Sequence, residues 1–318
     1  ATQPAVEASS RLAPNDNEPP AAALLPDQSV PTARLLAIDY GGGPESGRVT
    51  LAPLMTPNEE RIITPLRCDR VHFAAKVGIC LLTMPSEWLT PVVSVTLFSE
   101  TFQTLHSQRV DGMASRARMA PDGRYAAFTV FVSGHSYADD DFSTATHIIE
   151  VATGQDLGNL EDFTVWRDGA VFAAIDFNFW GVTFANDSNR FYATLQTAGV
   201  PYLVEGDIAA RRMTVLHAGV ECPALSPDNR RVAFKKARGD WEWQITVLDL
   251  ATMTETALAD PHSVDDQVEW LDNRTVLYQQ QSNDDTGNAW INIMRLPADG
   301  NGEPTVFAVR EGSPVVVN

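Results

Sequence analysis

The feature that most constrains this chain is a recurring strand–turn–strand stretch, clearest as Val220-Glu221-Cys222-Pro223-Ala224-Leu225-Ser226-Pro227-Asp228-Asn229-Arg230-Arg231-Val232-Ala233-Phe234. Pro227 fixes φ at about −65° at the second turn position. Asp228 is suited to bond its own backbone, and Asn229 tolerates the left-handed region that tight turns need. Leu225 on one side and Val232-Ala233-Phe234 on the other supply strand residues. The same plan returns at Met119–Phe128, Phe184–Tyr192 and Trp270–Tyr278, with a weaker copy at Val71–Cys80.

Spacing decides what the copies mean. The apolar anchors before the turns, Phe73, Met119, Phe184, Leu225 and Trp270, stand 46, 65, 41 and 45 residues apart. All-strand repeats of about 40–45 residues indicate four-stranded propeller blades rather than a helical solenoid. Two residues before each anchor stand Val71, Ala117, Val182, Pro223 and Val268, all apolar; between them stand His72, Arg118, Thr183, Ala224 and Glu269, mostly polar. That alternation suits a strand with one face packed on a neighbouring blade.

The reading is therefore all-β: a six-bladed propeller over residues 34–318, preceded by a Pro/Ala-rich arm or linker over residues 1–33. The arm's composition suits a tether or an extension laid on another surface. Residues 34–66 hold three strands where a blade needs four, so Ser313–Val317 is expected to supply the inner one and close the ring, removing an open sheet edge. The long interval carries an aromatic-rich insertion, residues 163–180, expected to form an extra hairpin capping one face, its rings mostly packing beneath it. Cys68 and Cys80 flank a hairpin centred near Ala74 and suit a cross-strand disulfide, the alternative being two buried thiols; a disulfide would imply an oxidising compartment. Cys222 reads as a buried small apolar residue.

The 318 residues carry a net charge of −18 with 44% hydrophobic content. This excludes nucleic acid, whose phosphates require a basic surface, and favours cations or basic protein patches as partners. No run of 18 apolar residues is present to span a membrane. The chain starts at Ala1 without a leader, as a processed export product does.

At Ala120-Pro121-Asp122-Gly123 and Ser226-Pro227-Asp228-Asn229 the turns resemble the repeats of TolB-like, PD40-type β-propellers, and Val220–Pro223 with Ser263–Asp272 resembles exported bacterial members. The resemblance covers roughly residues 34–318. It implies periplasmic or extracellular placement and a role in binding proteins, with no shared catalytic residue. The turn near Ala74 lacks Pro-Asp, and only the arm precedes the propeller, so TolB's own assembly partnership is not carried over.

No catalytic or metal motif emerges: CxxC, HExxH and GxxxxGK[ST] are absent, and the six histidines lack metal spacing. Gly134-His135-Ser136-Tyr137-Ala138 departs from a nucleophile elbow by ending in Ala and running into a loop. No cofactor is expected beyond a bound cation. What remains is a channel mouth. Four positions before the anchors stand Asp69, Ser115, Trp180, Glu221 and Asp266, with Asp265 one step earlier. Acidic loops at Asp139, Asp140, Asp141 and at Asp284, Asp285 are expected on the same face. These would form an acidic funnel for a cation or basic peptide, unless Arg70 and Arg116 neutralise the carboxylates structurally. Trp241 and Trp243 are either partner anchors or blade-edge packing. Three functions follow: an exported protein-interaction subunit, a ligand- or cation-binding propeller, or a carbohydrate-active hydrolase or lyase using mouth carboxylates. The first is preferred.

Overall fold

The structure is a computed structural model describing residues 33–85, 90–132, 143–283 and 289–317. The arm over residues 1–32, the stretch Gly134–Ala138 and the acidic runs Asp139–Asp141 and Asp284–Asp285 lie outside the described residues.

The expected turns are where the sequence places them. In the clearest copy, the Asn229 backbone N–H donates to the Ser226 carbonyl at 2.8 Å. Asn229 takes φ of 59°, and the Arg230 N–H donates to the Asp228 carboxylate at 3.2 Å. Gly123 fills the equivalent left-handed position with φ of 74°. The copy without Pro-Asp uses a different solution. Ala75 and Lys76, with φ of 47° and 70°, form a two-residue hairpin turn whose twist matches the flanking strands.

These turns join strands into six sheets, antiparallel but for one pairing in the fourth blade. The first contains β1 (Arg34–Asp39), β2 (Arg48–Pro53) and β3 (Ile62–Arg67), with β26 (Glu311–Val317) as its inner strand. Blade two holds β4 (Arg70–Ala74), β5 (Val77–Met84), β6 (Val92–Ser99) and β7 (Thr104–Asp111). Blade three holds β8 (Met113–Met119), β9 (Tyr125–Val132), β10 (Ser143–Glu150) and β11 (Gln155–Asn159). The insertion follows as β12 (Thr164–Arg167) and β13 (Ala170–Phe172). Blade four is β14 (Asn178–Phe184), β15 (Arg190–Thr197), β16 (Val200–Asp207) and β17 (Arg212–Ala218). Blade five is β18 (Glu221–Leu225), β19 (Arg231–Gly239), β20 (Glu242–Asp249) and β21 (Thr254–Ala257). Blade six is β22 (Glu269–Asp272), β23 (Thr275–Asn283), β24 (Ala289–Pro297) and β25 (Thr305–Ala308).

Inner strands touch in ring order, β26 to β4, β8, β14, β18, β22 and back to β26. The strand β26 pairs antiparallel with β1, Leu36 opposite Val315, so the first and last strands of the propeller close the ring as expected. Apolar side chains on facing sheets fill the interfaces; one cluster spans blades five and six through Ala233, Val247, Val268, Trp270 and Tyr278. The insertion differs from expectation. It caps a strand edge rather than a face: β12 pairs in parallel with β17, giving blade four six strands. Its aromatic residues do pack, Phe163 against Phe191 and Phe177 against Phe179. The Cys68–Cys80 disulfide is formed, and Cys222 is buried.

Candidate functional site

The inner strands begin at one mouth of the channel, here called the upper face. Three of them are bulged near their first residues. Gly181, Cys222 and Ser313 take φ of 68°, 48° and 51°, each beside a register shift in its inner strand. Gly181 has no alternative, since an added Cβ would stand 2.8 Å from the Cys222 Cα.

Among the described residues the mouth gathers Asp69, Arg70, Arg116, Trp180, Glu221, Asp265 and Asp266, with cations set among the carboxylates. Arg70 donates through Nε to the Ser115 carbonyl at 2.7 Å and through Nη1 to the Asp69 carbonyl at 3.1 Å. The Asp69 carboxylate accepts from the Thr83 N–H at 2.7 Å. Arg116 donates to the Ser115 carbonyl at 2.9 Å and lies 4.0 Å from Asp265. A third cation comes from a neighbouring strand: Lys235 of β19 bonds Asp265 and lies 3.9 Å from Glu221. Trp243 donates its indole N–H to Glu221 at 2.8 Å, with the Lys235 ammonium 4.2 Å above its ring. Asp266 and Trp180 are buried.

Electrostatics follow from this pairing. Burial pushes the Asp265 carboxyl upward, but Lys235, Arg116 and Arg70 outweigh it and hold the group below the usual carboxylate range. Lys235, Arg116 and Arg70 thus surround Asp265 with positive charge. Carboxylates so paired are poor general acids and offer a cation few free oxygens. Among the described residues no cluster of three His, Cys, Asp or Glu is placed to hold a metal ion.

Two features were missed in the sequence. One period beyond Asp266 in the same column stands Glu311, 1% exposed, at the start of β26. Spacing alone would have found it. The second lies further down the channel. His72, Arg118 and Glu269, the polar column between the apolar strand positions, meet across it: Arg118 bonds Glu269 and approaches the His72 ring at 2.9 Å. The His72 Nδ1 accepts from the Met119 N–H at 3.1 Å. Burial, with Arg118 beside it, lowers the His72 pKa. This cluster floors a depression of about 690 Å³ on the opposite, lower face, rimmed by Pro121, Pro227 and Asn229 of the turns.

Trp241 stands apart. Strands β19 and β20 pair up to Gly239 opposite Glu242, leaving Asp240 and Trp241 as the turn. Trp241 is 82% exposed and takes φ of 61°, a region that favours glycine or asparagine. Its ring meets Trp243 edge-on at 6.3 Å. Trp243 is thus a packed residue of the blade, and Trp241 is not.

A TolB structure from Acinetobacter baumannii superposes with a TM-score of 0.57 at 16% identity, over 90% of this chain and 66% of that one. The fold is that of a TolB-like β-propeller. The chain spans just under two thirds of that TolB. A chain of the nidogen/laminin complex superposes with a TM-score of 0.55 at 13% identity, over 89% of this chain and 98% of that one. Oligogalacturonate lyase in complex with manganese gives a TM-score of 0.52 at 10% identity, covering 79% and 72%. No protein-family model and no curated protein matches the sequence. Identities this low show the fold alone, and propellers host binding proteins and enzymes alike. No helix of the described residues is long and apolar enough to cross a membrane.

Proposed function

We propose that this TolB-like propeller is an exported protein-interaction module, a non-catalytic subunit or scaffold of a periplasmic or cell-surface assembly, with residues 1–33 as its tether. The observation that carries the proposal is Trp241, 82% exposed at the tip of an upper-face hairpin in a left-handed conformation. A large indole in water and a non-glycine residue at positive φ each oppose stability, the second by about 1–3 kcal/mol. A residue that disfavours the free protein twice over is accounted for by a partner that covers it. Tryptophan is also among the residues most enriched in binding hot spots. A net charge of −18 steers association towards a basic partner, and the paired mouth carboxylates speak against acid–base chemistry there.

The test is Trp241→Gly, which suits the turn. It is expected to raise the thermal midpoint while removing a stoichiometric partner seen in the native mass of protein isolated from its source. A variant that is less stable and keeps its partner would make Trp241 a packing residue and end this reading.

A further inference from the structure

Among the described residues, four of six tryptophan rings lie under a cation. Arg212 lies 4.5 Å over Trp166, Lys235 4.2 Å over Trp243, Arg231 5.4 Å over Trp270 and Arg310 3.9 Å over Trp290. Trp180 is buried, 4% exposed. Among the described residues, Trp241 alone is an exposed indole with no cation over its face. The nearby cations are engaged elsewhere: Lys235 serves Trp243, and Arg238 of the same hairpin, itself exposed, donates to the Pro261 carbonyl at 3.3 Å. Asp240 and Glu242, both exposed, flank Trp241 in the chain.

From this pattern we infer that Trp241 is completed in trans by an arginine of the protein partner, whose guanidinium stacks on the indole between the Asp240 and Glu242 carboxylates. The inference rests on the reading of the upper face as a partner surface. Arginine is specified rather than lysine because its planar, weakly hydrated guanidinium stacks on an aromatic face and still donates in-plane to carboxylates. Three of the four internal indole pairs already use it. A cation held between a ring and two carboxylates loses less on desolvation than one facing either alone.

The experiment uses the full chain labelled with fluorotryptophan, whose Trp241 resonance is assigned from Trp241→Phe. Capped tetra-arginine and tetra-lysine peptides are titrated at physiological ionic strength, where diffuse attraction to the acidic surface is screened. The expected result is a saturable shift of the Trp241 resonance with the arginine peptide, and affinity about tenfold weaker in Trp241→Ala. Asp240→Asn with Glu242→Gln is expected to weaken it further. An unmoved Trp241 resonance, unchanged affinity in Trp241→Ala, or equal binding of the lysine peptide each overturns the inference. If a native partner depends on Trp241 but the arginine peptide fails to displace it, the inference falls and the interaction reading stands. If the peptide binds as expected but no partner exists, the site stands and the interaction reading falls.

Discussion

Glu311 illustrates how much a single carboxylate can contribute to the ring. Its Oε1 accepts from the Thr50 hydroxyl at 2.7 Å and from Arg61 at 3.2 Å, while Oε2 is buried without a hydrogen-bond partner. Burial, outweighing Thr50 and Arg61 and aided by Asp39, holds the carboxyl above its usual value. A raised acid is stabilising in its protonated form. Its contribution is complete below the ordinary glutamate value of about 4.3 and is lost as pH rises through the higher folded value. Glu311→Gln is accordingly expected to exceed the wild type in stability at pH 7, with the gap closing as pH falls towards 4 in denaturant titrations. A pH-independent gap would show that Glu311 does not titrate with folding. His72 acts in the opposite sense. Burial and Arg118 lower its pKa, so its contribution is present above about 6.5 and is lost as pH falls below that.

At the scale of elements, the turns do more than reverse the chain. The Asn186 N–H donates to the Asn229 side chain at 2.8 Å, and the Asp228 N–H to the Asn273 side chain at 3.0 Å. Blades four, five and six are thereby linked turn to turn on the lower face. Within blades, two glycines sit opposite phenylalanines, Gly78 opposite Phe98 and Gly206 opposite Phe191. Each ring folds over its glycine, so an added Cβ would lie 2.2 Å and 2.1 Å from ring carbons. Gly206→Ala is therefore expected to cost about 1–3 kcal/mol, seen as a lower urea midpoint with an unchanged slope. An unaltered midpoint would mean that Phe191 moves aside freely. The insertion hairpin is the element the aromatic pattern located but misassigned. Its strand periodicity was visible, but its docking site on β17 depends on which sheet edge the fold leaves open.

For the whole molecule, ring closure decides stability. Strand β26 pairs with β1 and touches both β22 and β4, so the last residues of the chain complete the first blade and join it to the last. Truncation before Glu311 is expected to expose the β1 edge and replace cooperative unfolding with an early, aggregation-prone transition, detectable by calorimetry and size-exclusion chromatography. A truncated monomer melting at the wild-type temperature would show that closure is dispensable. The sequence by itself determined the blade count, the closing strand and the turn chemistry, because each rests on local backbone preference or a repeat period; between a Cys68–Cys80 disulfide and two buried thiols it left the choice to the tertiary structure, which forms the bond. Only the tertiary structure decided the character of the mouth. Lys235 reaches Asp265 across a 30-residue separation, and His72, Arg118 and Glu269 meet from three different blades. It also separated Trp241 from Trp243, two residues apart on one hairpin. Partners of this kind are set by strand register and blade packing, which no single stretch of sequence encodes.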